Sequence, residues 1–294
     1  MAITAKQVKE LREMTSAGMM DCKKALTECD GDMQKAVDWL REKGISKAAK
    51  KEGRIAAEGL TRVAVEGNYA ALIEVNSETD FVAKNEQFLS LLDTIEAAVL
   101  ANKPANNDEA LAIVTENGTI ADLLTQATAT IGEKITFRRF EIVEKTDDQT
   151  FGTYMHMGGT ISAVAVVEGS EEVAKDMAMQ VASMAPKYVS QKDVPADVVE
   201  HERNLQQQIM AADPAMASKP EKILAGILNG KVSKHFKDVC LMDQEYFKDP
   251  NEKVANFLKS NKANIVTFVR FQAGEGIEKR EENFAEEVMA QIKG

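Results

Sequence analysis

The sequence is poor in the residues from which most active sites are built. Its three histidines, His156, His201 and His235, lie far apart and form no His-x-x-x-His or His-Glu-x-x-His set, so no metal site is expected. The three cysteines, Cys22, Cys29 and Cys240, are odd in number and contain no Cys-x-x-Cys pair, which argues against a disulfide framework and against zinc. There is no phosphate-binding loop, nucleophile elbow or dinucleotide fingerprint. No catalytic residue and no cofactor are therefore expected. No stretch approaches the apolar length of a membrane span, and Met1-Ala2-Ile3-Thr4-Ala5-Lys6 lacks a signal peptide's apolar core. A cytoplasmic protein with no membrane partner is the expectation.

Positive charge is also short: 36 lysines and arginines face 47 acidic residues, a formal net charge of -11. A nucleic-acid binder needs a concentrated basic face to neutralise phosphates. The basic cluster Lys47, Lys50, Lys51 and Arg54 is short, alanine-rich and free of aromatics. It reads as a solvated linker, and no direct nucleic-acid partner is expected. What the chain does have is a globular composition, 44% hydrophobic and 28% charged over 294 residues, enough for two or three domains.

The amino-terminal part reads as three short helices. Thr4 followed by Gln7 is a capping-box pattern, and Val8 and Leu11 start an apolar stripe. Thr15-Ser16-Ala17-Gly18 breaks that helix. The next places Met19, Cys22, Leu26 and Cys29 on one face. Asp30-Gly31-Asp32 separates it from a third, with Met33, Val37 and Leu40 as its buried stripe, and Gly44 is expected to close the unit. Residues 45 to 56 carry no apolar period and read as a linker or an exposed basic helix.

From Leu60 the period changes to two. Val63 and Val65 run into Glu66-Gly67-Asn68-Tyr69, and Ala71, Ile73 and Val75 run out again, a hairpin signal. A helix with Phe88, Leu91, Leu92 and Ile95 comes next. The pattern recurs: Tyr154-Met155-His156-Met157, a turn at Gly158-Gly159, a strand from Ile161 to Val167, and a helix from about Glu171. Val82-Ala83-Lys84 echoes Val173-Ala174-Lys175, and Thr136-Phe137-Arg138-Arg139-Phe140 echoes Thr267-Phe268-Val269-Arg270-Phe271. These echoes predict a duplicated α+β unit with antiparallel sheets. A helical insertion from about Asp193 to Phe236 interrupts the second copy. Val198, Leu205 and Ile209 mark one of its helices, and Ile223, Leu224, Ile227 and Leu228 the other, with Pro214 and Pro220 in the connector. A charged helix from Ile277 to Ile292 is expected at the end. The implied boundaries are 1–54, 55–145, 146–192, 193–236 for the insertion, 237–274 and 275–294.

The two copies differ at one turn. The second reads Ser170-Glu171-Glu172-Val173, whereas the first reads Ser77-Glu78-Thr79-Asp80-Phe81-Val82, two residues longer. Asp80 suits a helix N-cap and Phe81 a staple folded back on the core. Caps are common and functional turns rarer, which favours that reading; the other is that Phe81 is a protruding anchor for a partner's pocket. The residues alone leave both open.

The run Val75-Asn76-Ser77-Glu78-Thr79-Asp80-Phe81-Val82-Ala83-Lys84 resembles the signature of the elongation factor Ts family. The run from Leu11-Arg12-Glu13 through Gly18-Met19-Met20-Asp21-Cys22-Lys23-Lys24-Ala25-Leu26 is similar to that family's docking domain. The run from Phe268-Val269-Arg270-Phe271 through Gly274-Glu275-Gly276-Ile277-Glu278-Lys279 is similar to its last module. The resemblance implies a UBA-like three-helix docking domain ahead of the duplicated core, and elongation factor Tu as partner. It implies that Thr79, Asp80, Phe81 and Val82 reach the partner near its nucleotide-bound magnesium, favouring the anchor reading. Ile131-Gly132-Glu133, Arg12, Met19 and Met20 are implied as further contacts. His156 fits the family's Tyr-x-His element, although Met157-Gly158-Gly159 departs from its usual sequence. The insertion corresponds to the family's dimerisation hairpin. The implied activity is guanine-nucleotide exchange in translation, without covalent chemistry. The competing reading is a small acid–base enzyme using Asp80, Glu78 or His156, for which the sequence supplies no further machinery.

Overall fold

The computed structural model of the chain describes residues 3–15, 17–216 and 219–278. Three helices come first, α1 (Ala5–Thr15), α2 (Met19–Glu28) and α3 (Met33–Ala49). The Thr4 amide donates to the Gln7 side chain at 3.0 Å, and the Gln7 amide donates back to the Thr4 hydroxyl at 3.2 Å. This is the capping box expected from the sequence. Leu11, Cys22, Ala25, Leu26 and Ala36 are fully buried between the helices.

Two expectations for this part need correction. Met19 does not belong to the buried stripe of α2, because it is 59% exposed in the first turn and burial begins at Cys22. Nor does Gly44 close the unit: α3 continues to Ala49. Gly44 is buried, and a Cβ built there would sit 3.5 Å from the Ala129 side chain. Its smallness serves close helix packing rather than termination. The basic stretch is accordingly the last turn of α3 and the residues just after it. Lys47 pairs with Asp21 at 2.9 Å, and the Lys51 ammonium donates to the Thr128 carbonyl at 3.1 Å.

The first sheet contains β1 (Glu58–Glu66), β2 (Tyr69–Ser77) and, after an excursion, β5 (Thr136–Glu144). Glu66 pairs with Tyr69, leaving Gly67-Asn68 as the two-residue turn, with Gly67 at φ +56°. The excursion holds α4 (Glu86–Asn102), α5 (Asn107–Ala112), a ribbon of β3 (Val114–Thr115) and β4 (Gly118–Thr119), and α6 (Ile120–Ile131). The second sheet repeats the plan. β6 (Thr150–His156) and β7 (Ile161–Glu168) form the hairpin, α7 (Glu171–Met184) comes after it, and the third strand returns much later. In between lie α8 (Ala196–Ala212), α9 (Glu221–Val239), a ribbon of β8 (Glu245–Tyr246) and β9 (Asp249–Lys253), and α10 (Val254–Ser260). The returning strand is β10 (Asn264–Gln272). The strand orders, β1-β2-β5 and β6-β7-β10, are equivalent and all their pairings are antiparallel. The fold class is α+β.

Strand alternation explains why the central strands are buried on both faces. In β2, Ala71, Ile73 and Val75 face α4 and α6, meeting Phe88, Leu92, Ile95 and Ile120. Ala70 and Leu72 point the other way, against Val164 and Val166 of β7 and Phe271 of β10. On the far side of β7, Ala163, Ala165 and Val167 meet Val173 and Met177 of α7 and Leu258 of α10. The body is thus two sheets face to face, each covered outside by helices.

The insertion folds as the expected helix pair with a small core of its own, Val194, Met210, Leu228, Val232, Phe236 and Cys240. The stripe read from the sequence meets that core only on the second helix, where Leu228 is buried and Leu224 and Ile227 pack against it. Val198, Leu205, Ile209 and Ile223 are exposed, because the helices meet through other positions. α9 also runs on to Val239. The expected final helix lies from residue 279 onward outside the described residues. Among the described residues, no helix is long and apolar enough to cross a membrane.

Candidate functional site

The lengthened turn lies between the end of β2 at Ser77 and the start of α4. Asn85, not Asp80, caps α4: its side chain accepts from the Gln87 amide at 2.8 Å. A short 3-10 turn, Val82–Lys84, precedes it. Phe81 does not fold back as a staple but stands 80% exposed. Asp80 is exposed beside it, and among the described residues it has no hydrogen-bonding or ionic partner. The cap-and-staple alternative is removed by this geometry.

The residues flanking the tip are held from several directions. Val82 is buried in the first core, so its side chain anchors the turn from within rather than facing outward. Thr79 is partly buried, and its amide and hydroxyl both donate to the Glu133 carboxylate, at 2.9 and 2.6 Å. In the reverse direction the Lys134 amide donates to Glu78 at 2.6 Å. Arg54 also donates to Glu78, at 3.2 Å, and the Lys134 ammonium donates to the carbonyls of Glu52 and Arg54. The Ser77 hydroxyl closes the set on the Thr79 carbonyl at 2.9 Å.

These bonds bring the 131–134 stretch against the loop. Ile131 ends α6, partly buried on the first core. Gly132 comes next, in the left-handed region at φ +93°, where its amide donates to the Thr128 carbonyl at 3.2 Å. The residue after this glycine cap is Glu133, aimed at Thr79. Nearby, burial holds the Lys51 ammonium below the usual lysine range.

The other expected positions are spread along the molecule. Arg12 is exposed on α1, and Met20, 74% exposed, lies in the first turn of α2. Met14 is exposed as well, on the other side of the α1–α2 turn. Sequence reasoning missed it, since an apolar residue three positions after Leu11 reads as core. His156 ends β6, exposed, with the Tyr154 hydroxyl 3.3 Å from its Nδ1. The turn after it has three consecutive positive φ angles: Met157 at +48°, Gly158 at +70° and Gly159 at +111°. It rests on β1, where Arg62 donates to the Gly158 carbonyl at 3.0 Å and Thr61 to the Gly159 carbonyl at 2.7 Å. The 3-10 turn Val82–Lys84 packs against the same strand.

No acid–base pair is assembled from Asp80, Glu78 and His156. Glu78 is taken up by Lys134 and Arg54 and His156 by Tyr154, and among the described residues Asp80 makes no hydrogen bond to either. Among the described residues, no group of three His, Cys, Asp or Glu side chains is placed to hold a metal ion. What the site offers is a surface: an aromatic ring and a carboxylate displayed on a tethered loop. Compared with known families, residues 78–275, more than half of the chain, match the family described as Elongation factor TS. The match begins inside the tethered loop.

Proposed function

The chain belongs to the elongation factor Ts family of translation elongation factors, and from that premise we propose that it is the guanine-nucleotide exchange factor of elongation factor Tu. The observation that carries this reading is the exposure of Phe81, a large apolar ring held in water with Asp80 beside it. A large aromatic ring displayed beside a carboxylate on a tethered loop has the form of an interface anchor, the kind of side chain that a partner's pocket receives. Entering near the partner's magnesium, the pair would disturb the ion that bridges nucleotide phosphates to protein and so weaken the phosphate grip.

On this reading no bond is made or broken by the chain itself. It binds the nucleotide-free partner better than the nucleotide-bound one, and linkage then requires nucleotide to weaken its own binding by the same factor. Arg12, Met19 and Met20 dock the amino-terminal bundle, Ile131 and Gly132 extend the Phe81 surface, and His156 contacts the partner from the second sheet. The exposed Val198, Leu205 and Ile209 suit a homodimer through the α8–α9 pair. We assign residues 1–54 as the docking unit on the same basis, and the cytoplasm as the place of action. Stopped-flow release of a fluorescent guanine nucleotide from elongation factor Tu tests the reading. Faster release in the presence of the chain is expected, and an unchanged rate at saturating concentration refutes it.

A further inference from the structure

We propose that Glu133 is a positioning residue for exchange, holding Phe81 in the orientation in which it meets the partner; this rests on the exchange reading given above. The backbone around the tip is fixed at nearly every position except the tip itself. Before it, the Thr79 amide and hydroxyl are bound in parallel by one carboxylate. After it, Val82 is buried and the Lys84 amide donates to the Phe81 carbonyl at 3.2 Å. The Asp80 and Phe81 side chains, by contrast, point away without partners among the described residues. Left to itself, an exposed phenylalanine on a short loop would gain by laying its ring on the nearest apolar surface. The two-point bond to Glu133 opposes that collapse, because Thr79 cannot rotate without breaking both hydrogen bonds to the carboxylate.

The second half of the clasp gives Glu133 a wider role. Its neighbour Lys134 returns a bond to Glu78, so two adjacent residues on each strand of chain hold one another. The loop at 78–81 and the turn at 131–134 therefore behave as one body. Gly132 sets the direction of that body, since its left-handed backbone turns the chain from α6 towards Thr79. Orienting the ring in advance removes an ordering cost from the step after docking in which Phe81 enters the partner's pocket, which is how preorganised anchors act. Glu133 never needs to touch the partner. Its effect is transmitted through Thr79 to Phe81.

The test is a double-mutant cycle in the nucleotide-release assay, using the full chain with elongation factor Tu. Glu133→Ala should lower the maximal release rate by about tenfold, the scale of lost hydrogen bonds to a charged acceptor. Half-saturation should move little, because the bundle still docks. In a Phe81→Ala background, Glu133→Ala should add almost nothing, a coupling that a merely structural role would not produce. Thr79→Ser, which keeps the hydroxyl, should retain the rate, whereas Thr79→Val should lose part of it. Glu133→Gln, which preserves volume and one acceptor, supplies a folded variant if the alanine form is unstable, and it should fall between wild type and Glu133→Ala. Additive effects of Glu133→Ala and Phe81→Ala, or a normal rate in every folded Glu133 variant while Phe81→Ala is slow, would overturn the assignment. An unchanged rate in Phe81→Ala itself would overturn the exchange reading beneath it, a separate and distinguishable failure.

Discussion

The buried carboxylate of Glu74 accepts a hydrogen bond from the amide of Gly274 at 2.8 Å, joining positions 200 residues apart. Glu74 lies in the middle of β2 and is fully buried. It also receives Arg138 at 2.9 Å, Arg139, and the Asn76 side-chain Nδ2 at 3.1 Å. Gly274 sits at φ +74°, and a Cβ there would come within 1.9 Å of the Ala57 carbonyl. The chain leaving β10 is thereby threaded back over the first sheet, close to the strand that leads into the Phe81 loop. Glu74→Ala leaves two guanidinium groups without their buried partner, and removing one member of such a set costs about 3–5 kcal/mol. Urea denaturation should show that loss. A change below about 1 kcal/mol would mean the arginines find solvent at little cost.

Gly44 supplies a second prediction, at the contact between α3 and α6. Alanine there would meet Ala129 at an ordinary contact distance and should raise helix stability by up to about 1 kcal/mol. Leucine cannot fit without pushing the helices apart, and overpacking costs about 1–3 kcal/mol. Thermal melting of the two variants should therefore move in opposite directions. Equal effects would show that the contact is loose.

The Gly44 case shows where sequence reasoning stopped. The Gly67-Asn68 turn, the strand alternation of β2 and the apolar period of α4 are local signals, and each element stands where its signal lies. The duplication was legible in the repeated hairpin and helix, but the echo of residues 136–140 with 267–271 is out of register: Phe140 opposes Ile73 and Phe268 opposes Ala165, so Phe268 corresponds to Phe140 and Ile265, opposite Val167, to Phe137 opposite Val75. A glycine in a helix, however, reads the same whether it ends the helix or admits a neighbour, and only Ala129, far along the chain, decides. Glu133 was legible as part of a motif but not as the partner of Thr79. A clasp between residues 54 positions apart has no periodicity to betray it. The stripe of Val198, Leu205 and Ile209 misled for the opposite reason, since an apolar period identifies a face but not what covers it.

Removing residues 1–54 offers a third prediction. The cores on both sides of the paired sheets draw on none of these residues, so the remainder should still unfold cooperatively. Its melting temperature should fall, because the Arg41–Asp122 pair at 2.8 Å, the Lys51 bond to Thr128 and the Lys134 bonds to Glu52 and Arg54 are all lost. Docking to elongation factor Tu should weaken as Met19 and Met20 go. Loss of cooperative melting would place the boundary elsewhere.

The most direct test of the central claim, that Phe81 is displayed for a partner, pairs melting with nucleotide release on Phe81→Ala. A core phenylalanine truncated to alanine costs about 3–5 kcal/mol of folding stability. A ring already 80% exposed should cost almost none, so a near-normal melting temperature is expected. Release of fluorescent guanine nucleotide from elongation factor Tu should slow markedly, by the equivalent of about 2–4 kcal/mol for a binding anchor. Asp80→Ala should show a smaller defect with unchanged melting, since Asn85 rather than Asp80 caps α4. Strong destabilisation of Phe81→Ala, with normal release per folded molecule, would contradict the account.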